Sequence, residues 1–264
     1  MSPAPRPYSQ HGEVRVTTFQ RRTKLYPIHR WRTFARLTAD EENALETLGD
    51  PEVLRQPRDI IRSEGDRVSG FYLLVRGWVS SSIVLGSGAR LINKVHLPGD
   101  MLGTPSMVLP LAADTLTAIT EAVVAFVPFE RLGRICTRLP RLGALLTFAT
   151  QVERLALMDV LAVTGRASAT EQLARLLLDL HSRLTPIGAV ESDAFDLPLT
   201  QEMIGDLTGL SAVHVNRKMR ELREDWVIAR EGRKVRILDL PALRALSPIR
   251  PRSLQFEPAW LPSL

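Results

Sequence analysis

The densest set of hydrogen-bonding side chains at helical spacing lies between Ser211 and Arg220 (SAVHVNRKMR). Val215, Met219 and Leu222 recur at intervals of four and three, so they form one apolar stripe and leave Val213, His214, Asn216, Arg217 and Arg220 to point elsewhere. Guanidinium, amide and imidazole groups on the free face of a helix can donate to phosphates and base edges. The chemistry on offer is recognition of a DNA groove, not the making of bonds.

Such a face needs something to hold it. A first helix is expected from Thr200, whose hydroxyl can cap the N-terminal amides, with Met203, Ile204 and Leu207 as its inner positions. Thr208-Gly209-Leu210 breaks it, Gly209 standing where a helix end needs a left-handed residue, and Ser211 caps the next helix. From Trp226 to Leu238 two alternating runs flank Glu231-Gly232, the signal of a hairpin. Helix, turn, helix and basic hairpin make a winged helix. Its candidate DNA contacts are Thr200, Gln201, Ser211, Ala212, Val213, His214, Asn216, Arg217 and Arg220, with Arg233 and Lys234 in the wing.

Charge alone does not single out this domain. Of the net +5, residues 1 to 36 hold eight Lys/Arg against Glu13 alone, whereas residues 198 to 240 hold eight basic and seven acidic side chains. No apolar run reaches the roughly 18 to 20 residues that cross a bilayer, and no signal-peptide pattern opens the chain, so a soluble cytoplasmic protein without a membrane partner is expected. Cys136 is the only cysteine among 264 residues, which excludes a disulfide framework and a four-thiolate iron-sulfur cluster.

In chain order, residues 1 to 30 read as a flexible basic arm, a composition that also suits a transit peptide or a phosphate-binding tail. Thr38 to Glu41 is a capping box. From Val53 to Pro128, β-rich runs (Phe71 to Val75, Val79 to Leu85, Leu91 to Leu97, Ala122 to Val127) alternate with glycine turns, which predicts a β-roll or small jelly roll over residues 31 to 139. A short helix over Phe129 to Arg138 precedes a long one over 140 to 164, in which Leu142, Leu145, Ala149, Val152 and Ala156 are the expected dimerisation stripe. Burial of that helix within one chain gives the same periodicity. Gly165 is the expected hinge, Ser168 or Thr170 caps the next helix, residues 185 to 195 form a loop, and the winged domain runs over 165 to 246. A Pro-containing tail, 247 to 264, shows no periodicity. The class is α+β.

In this order of parts the chain resembles the Crp-Fnr superfamily of bacterial transcription regulators. The resemblance rests on Gly65-Asp66, Phe71 to Leu74 with Arg76-Gly77, and Pro98 to Gly103 in the sensor domain, then on Leu199 to Glu202, Ile204-Gly205, Gly209 to Ser211 and Val215 to Arg217 in the reader. It implies a homodimer on a palindromic operator of double-stranded DNA, with RNA polymerase as a further partner. It also places base contacts at Val213, His214 and Arg217, with Ala212 beside them. Arg217 suits a guanine, while Val213 stands where members often carry Glu and offers a thymine methyl a contact instead. Effector contacts would fall on Leu102, Gly103, Thr104 and Ser106. Cyclic-AMP-binding members show Gly-Glu after this turn and an Arg-Ser pair some ten residues on. Here Thr104-Pro105-Ser106 follows Gly103 and LPLAADTLT (109 to 117) has no cation, so cyclic AMP is not the expected ligand and the effector stays unassigned.

Two other classes remain open. A cupin-like metal-binding enzyme would need about three clustered ligands, and of His11, His29, His96, His181 and His214 only His96 lies in the barrel segment. A lone histidine there suits a structural role better than a haem ligand. A dimeric scaffold without specific DNA binding would fit the near-neutral winged domain. The leading expectation is a DNA-binding regulator, not an enzyme, with no cofactor and no metal site.

Overall fold

The computed structural model describes residues 26–250 and 252–263. Most of the basic arm expected over residues 1 to 30 lies outside the described residues, but its last five do not form an arm. Tyr26 and Ile28 are buried, and the Tyr26 hydroxyl donates to the Gly99 carbonyl at 2.9 Å.

Two helices lead in, α1 (His29–Arg32) and α2 (Ala39–Glu46), the second opened by the Thr38/Glu41 capping box. The roll then comprises β1 (Val53–Arg55), β2 (Ile60–Arg62), β3 (Gly70–Arg76), β4 (Val79–Val84), β5 (Arg90–His96), β6 (Met101–Leu102), β7 (Thr115–Ala118) and β8 (Ala122–Pro128). They build two antiparallel sheets, β1-β8-β3-β6 and β2-β7-β4-β5. Alternation along β3 sends Leu74 into the roll with Val79, Leu102 and Leu116, and Phe71 and Leu73 outward against the helices.

After α3 (Phe129–Arg138) comes the long helix α4 (Pro140–Arg166), and two expectations about it change. The helix ends within the segment 164 to 167 expected to hold the hinge, but not at Gly165: an exposed glycine in a helix costs about 1 kcal/mol, too little to end a helix of this length. The break falls at Ala167, where the backbone is extended and Ser168 caps α5 (Ala169–Leu184) in a box with Glu171. The residues expected to form the dimerisation stripe are mostly buried within the chain. Leu142, Leu145 and Ala149 are buried in the chain's own core with Trp31, Phe34 and Phe71, and Val152 packs at its edge. Of the expected stripe only Ala156 is exposed, and the apolar residues left in solvent on this helix are Leu157, Met158 and Leu161. The apolar arc of α4 is wide enough for two faces, and α1 and β3 cover the one assigned to a partner.

The C-terminal part contains β9 (Ala194–Asp196), α6 (Gln201–Thr208), α7 (Ala212–Glu224), β10 (Ile228–Glu231), β11 (Lys234–Ile237) and α8 (Leu240–Ala245), with sheet order β10-β11-β9. The expected loop at 185 to 195 thus delivers a third strand to the wing, paired Val235 to Phe195. The core of this part runs on into the roll. Leu173, Leu177 and Leu180 of α5 share one buried cluster with Trp78, Ile92, Val95 and Leu97 of the roll. The tail docks as well: Trp260 stacks on Phe148 with centroids 6.0 Å apart, and the Pro262 carbonyl accepts from Arg141 Nε at 2.8 Å.

Candidate nucleic-acid interface

The turn between α6 and α7 is fixed by two glycines. Gly209 takes φ +73° as the left-handed end of α6, and at Gly205 an added Cβ would stand 2.4 Å from the Leu210 carbonyl oxygen, so the backbone crosses there only over glycine. Thr200 Oγ1 accepts from the Met203 amide at 3.1 Å, and Ser211 Oγ accepts from the His214 amide at 3.3 Å. Val215, Met219 and Leu222 pin α7 inward, Val215 with no exposure at all.

The opposite face of α7 is free. Val213 is 79% exposed, and His214, Asn216, Arg217 and Arg220 lie beside it in solvent. Arg217 Nε lies 3.9 Å from Glu221 and Arg220 Nε 3.6 Å from Glu224, loose helical pairs that a phosphate or guanine can replace. Glu221 is held more firmly by Lys218 at 2.6 Å, and that hydrogen bond lowers its pKa. The other candidates differ in availability. Ala212 and Gln201 are half-buried, Thr200 and Ser211 act as caps, and His214 Nδ1 bonds Ser211 Oγ at 2.9 Å. In the wing Lys234 is exposed, while Arg233 is tied to Asp196 of β9 at 2.9 Å, a contact that the third strand supplies.

A second constellation, not legible in the sequence, joins this reader to the roll. Asp100, buried in the turn after β5, caps the Leu97 amide at 3.1 Å and receives Arg183 of α5 at 2.8 Å and Lys94 of β5 at 3.6 Å. Arg30 of α1 bridges Asp100 and Glu153 of α4, and Lys94 also pairs with Glu153. Burial works to raise the Asp100 pKa, but Lys94, Arg30 and Arg183 hold it well below the usual carboxylate range. Glu153, likewise desolvated, is drawn down to about 2 by Lys94 and Arg30. Four segments therefore meet on two carboxylates. His96, buried nearby, is kept neutral by desolvation and shares a 3.0 Å hydrogen bond with Ser81, a structural role.

The effector candidates are not arranged as a ligand cradle. Leu102 is fully buried in the roll, and Thr104 lies half-buried in a short 3-10 turn. Arg62 of β2 reaches into this turn: its guanidinium donates to Ser106 Oγ at 3.2 Å and to the Gly103 carbonyl at 3.4 Å, and is ion-paired to Asp114. Both partners of that pair are more than nine-tenths buried. The cation that a cyclic phosphate would need is thus present but already neutralised by the chain's own carboxylate. The one sequence clue to it is an arginine closing the apolar pair Ile60-Ile61. Among the described residues no three His, Cys, Asp or Glu side chains converge as a metal set, and no helix is long and apolar enough to cross a membrane.

Comparison with known proteins agrees with this arrangement. Residues 52–138 match the cyclic nucleotide-binding domain family and residues 171–246 the Crp-like helix-turn-helix domain family. The chain is 28% identical over 184 residues to the transcriptional activator protein FnrA of Stutzerimonas stutzeri, covering 70% of this chain and 75% of that one. It is 28% identical over 222 residues to the transcriptional activator protein FnrL of Cereibacter sphaeroides, covering 83% and 88%. The structure of FixK2 from Bradyrhizobium japonicum superposes with a TM-score of 0.69 at 25% identity, over 76% of this chain and 98% of that one. A nucleotide-binding-like roll, a long helix and a Crp-like reader in this order establish that the chain belongs to the Crp-Fnr superfamily of DNA-binding transcription regulators.

Proposed function

We propose that the chain acts as a homodimer on a palindromic operator, each α7 entering one major groove of a half-site about one helical turn from the other. The exposed face of α7, presented by a helix capped and pinned on its other side, carries this reading. Arg217 would donate to a guanine, and Val213 would touch a thymine methyl. Leu157, Met158 and Leu161 would supply the dimer contact, since their spacing continues along α4 and they lie about half to three-quarters exposed. RNA polymerase would be the further partner, and the bacterial cytoplasm the place of action. No catalytic role is proposed, and cyclic AMP is not proposed as effector, because Asp114 already takes the charge of Arg62.

Selection of bound sequences from a random DNA pool should return two-fold symmetric sites. In gel shifts at fixed salt, Arg217→Ala should lower the preference for the selected site by roughly ten- to a hundredfold, equivalent to about 1–3 kcal/mol per bidentate contact. Recovery of asymmetric or random sequences, or an unchanged preference, would refute the assignment.

A further inference from the structure

We infer that the C-terminal tail is a strap: it gives the reader a second attachment to the sensor, besides the joint at Ala167, and so limits how far the reader can swing. The chain leaves the reader after α8. Yet every hydrogen bond and ion pair that residues 252–263 make among the described residues goes to the sensor, to α4 or to the tail itself. Arg252 holds Asp159, toward the C-terminal end of α4, at 2.7 Å, while Trp260 stacks on Phe148 and Pro262 accepts from Arg141 in the first turn. The tail thus runs antiparallel along about 27 Å of helix. Asp159, Phe148 and Arg141 recur at spacings of eleven and seven, so they form one stripe of α4, on the side away from Leu157 and Leu161.

The seat at the sensor end is built for this segment. Leu261 is buried in the cluster that holds Trp31, Phe34, Leu142 and Leu145. Glu257 takes φ +48°, a left-handed state uncommon for a glutamate. From it the backbone amide donates to the Phe34 carbonyl at 2.9 Å, and the carboxylate accepts from the Arg36 amide at 3.0 Å and faces Arg141 at 3.8 Å. Arg141 itself is buried and shared between this carboxylate and Glu41 of α2.

Connectivity supplies the consequence. A reader attached only through Ala167 could pivot on one extended residue. Attached also through the tail, it cannot turn far until Arg252, Glu257 and Trp260 let go. The strap is also detachable, since Leu254, Phe256 and Trp260 stay about half exposed and the seat opens at less cost than the core.

The test needs no DNA, so it stands apart from the operator assignment. In a Cys136→Ser chain, spin labels at Arg134→Cys of α3 and Glu231→Cys of the wing, both exposed positions, report the sensor-to-reader distance by pulsed electron resonance. Labelled chain is diluted into unlabelled chain, so that each distance lies within one chain. Three forms are compared: the full chain, a chain ending at Arg250, and a full chain with about twelve Gly/Ser residues inserted after Arg250, which add roughly 17–21 Å of slack and leave the seat filled. The full chain should give one narrow distribution, and truncation and insertion should each broaden it by at least about twofold, the insertion keeping the melting temperature of the full chain. A broad distribution in the full chain, an unchanged width in both altered chains, or broadening by truncation alone would overturn the inference. So would broadening by the insertion that comes only with the truncated chain's loss of melting temperature, because the tail would then act as a stabiliser and not as a strap. The insertion keeps every tail contact available, so the outcome does not depend on the truncated chain folding well.

Discussion

The cluster around Asp100 allows a quantitative test of how the reader is held. Asp100→Asn keeps the shape and the cap on the Leu97 amide but deletes one of two carboxylates that face Arg30, Lys94 and Arg183. Losing one partner of a buried charge network costs about 3–5 kcal/mol. The lower end applies here, because Arg183 keeps Asp179 at 3.1 Å and both Arg30 and Lys94 keep Glu153. For a chain of this size about 3 kcal/mol corresponds to a fall of roughly 6–12 °C in melting temperature. Urea titration of wild type, Asp100→Asn, Arg183→Met and the double variant would measure it, with the double variant recovering at least about 1 kcal/mol of the summed single costs. The sign with pH is fixed. Asp100 titrates lower in the folded than in the unfolded chain, so its contribution is present above the unfolded value of about 3.9 and fades as pH falls through the folded one. The gap between wild type and variant should be flat from pH 5 to 8 and narrow only below about pH 4. A loss under about 1 kcal/mol at pH 7, or strict additivity with Arg183→Met, would refute the holding role of the cluster.

Leu161→Glu, at a position 76% exposed, should convert the proposed dimer to monomers in sedimentation velocity while changing monomer stability by less than about 0.5 kcal/mol; an unaltered sedimentation coefficient would refute the proposed interface. Asp114→Ala should destabilise by about 3–5 kcal/mol in urea, whereas Arg62→Met combined with Asp114→Leu should approach wild type, since the pair is buried and replaceable by apolar packing. Ser211→Ala should cost about 1 kcal/mol by loss of the α7 cap, and Ser211→Asp should restore it in the same melting assay.

The reader was legible because each of its parts is specified locally. Gly209, the Thr200 and Ser211 caps and the Val215/Met219/Leu222 stripe act within a few residues of one another, and all appear in place. The wing hairpin was likewise visible from Glu231-Gly232, but not its third strand, since Ala194–Asp196 is too short to show alternation. On α4, periodicity gave an apolar helix and could not say which arc meets its own chain. Leu142, Leu145 and Ala149 are settled by Trp31 and Phe34, more than a hundred residues away in sequence. Asp100 and Arg62 were hidden for the same reason, as their partners stand 83 and 52 residues off in Arg183 and Asp114.

The chain is jointed at Ala167, yet Leu173, Leu177 and Leu180 lie in one continuous buried cluster with Trp78, Ile92, Val95 and Leu97 of the roll, where α6 packs on β5. A gene fragment starting at Ser168 would therefore keep most of this core but lose the part of it that the roll supplies. It would leave uncovered the apolar surface that meets Trp78, Ile92, Val95 and Leu97, and a reader grafted onto another sensor would need that sensor to offer an equivalent apolar wall. Exchange of parts between such regulators is thus limited less by the linker than by the fit of the roll to the reader's apolar surface.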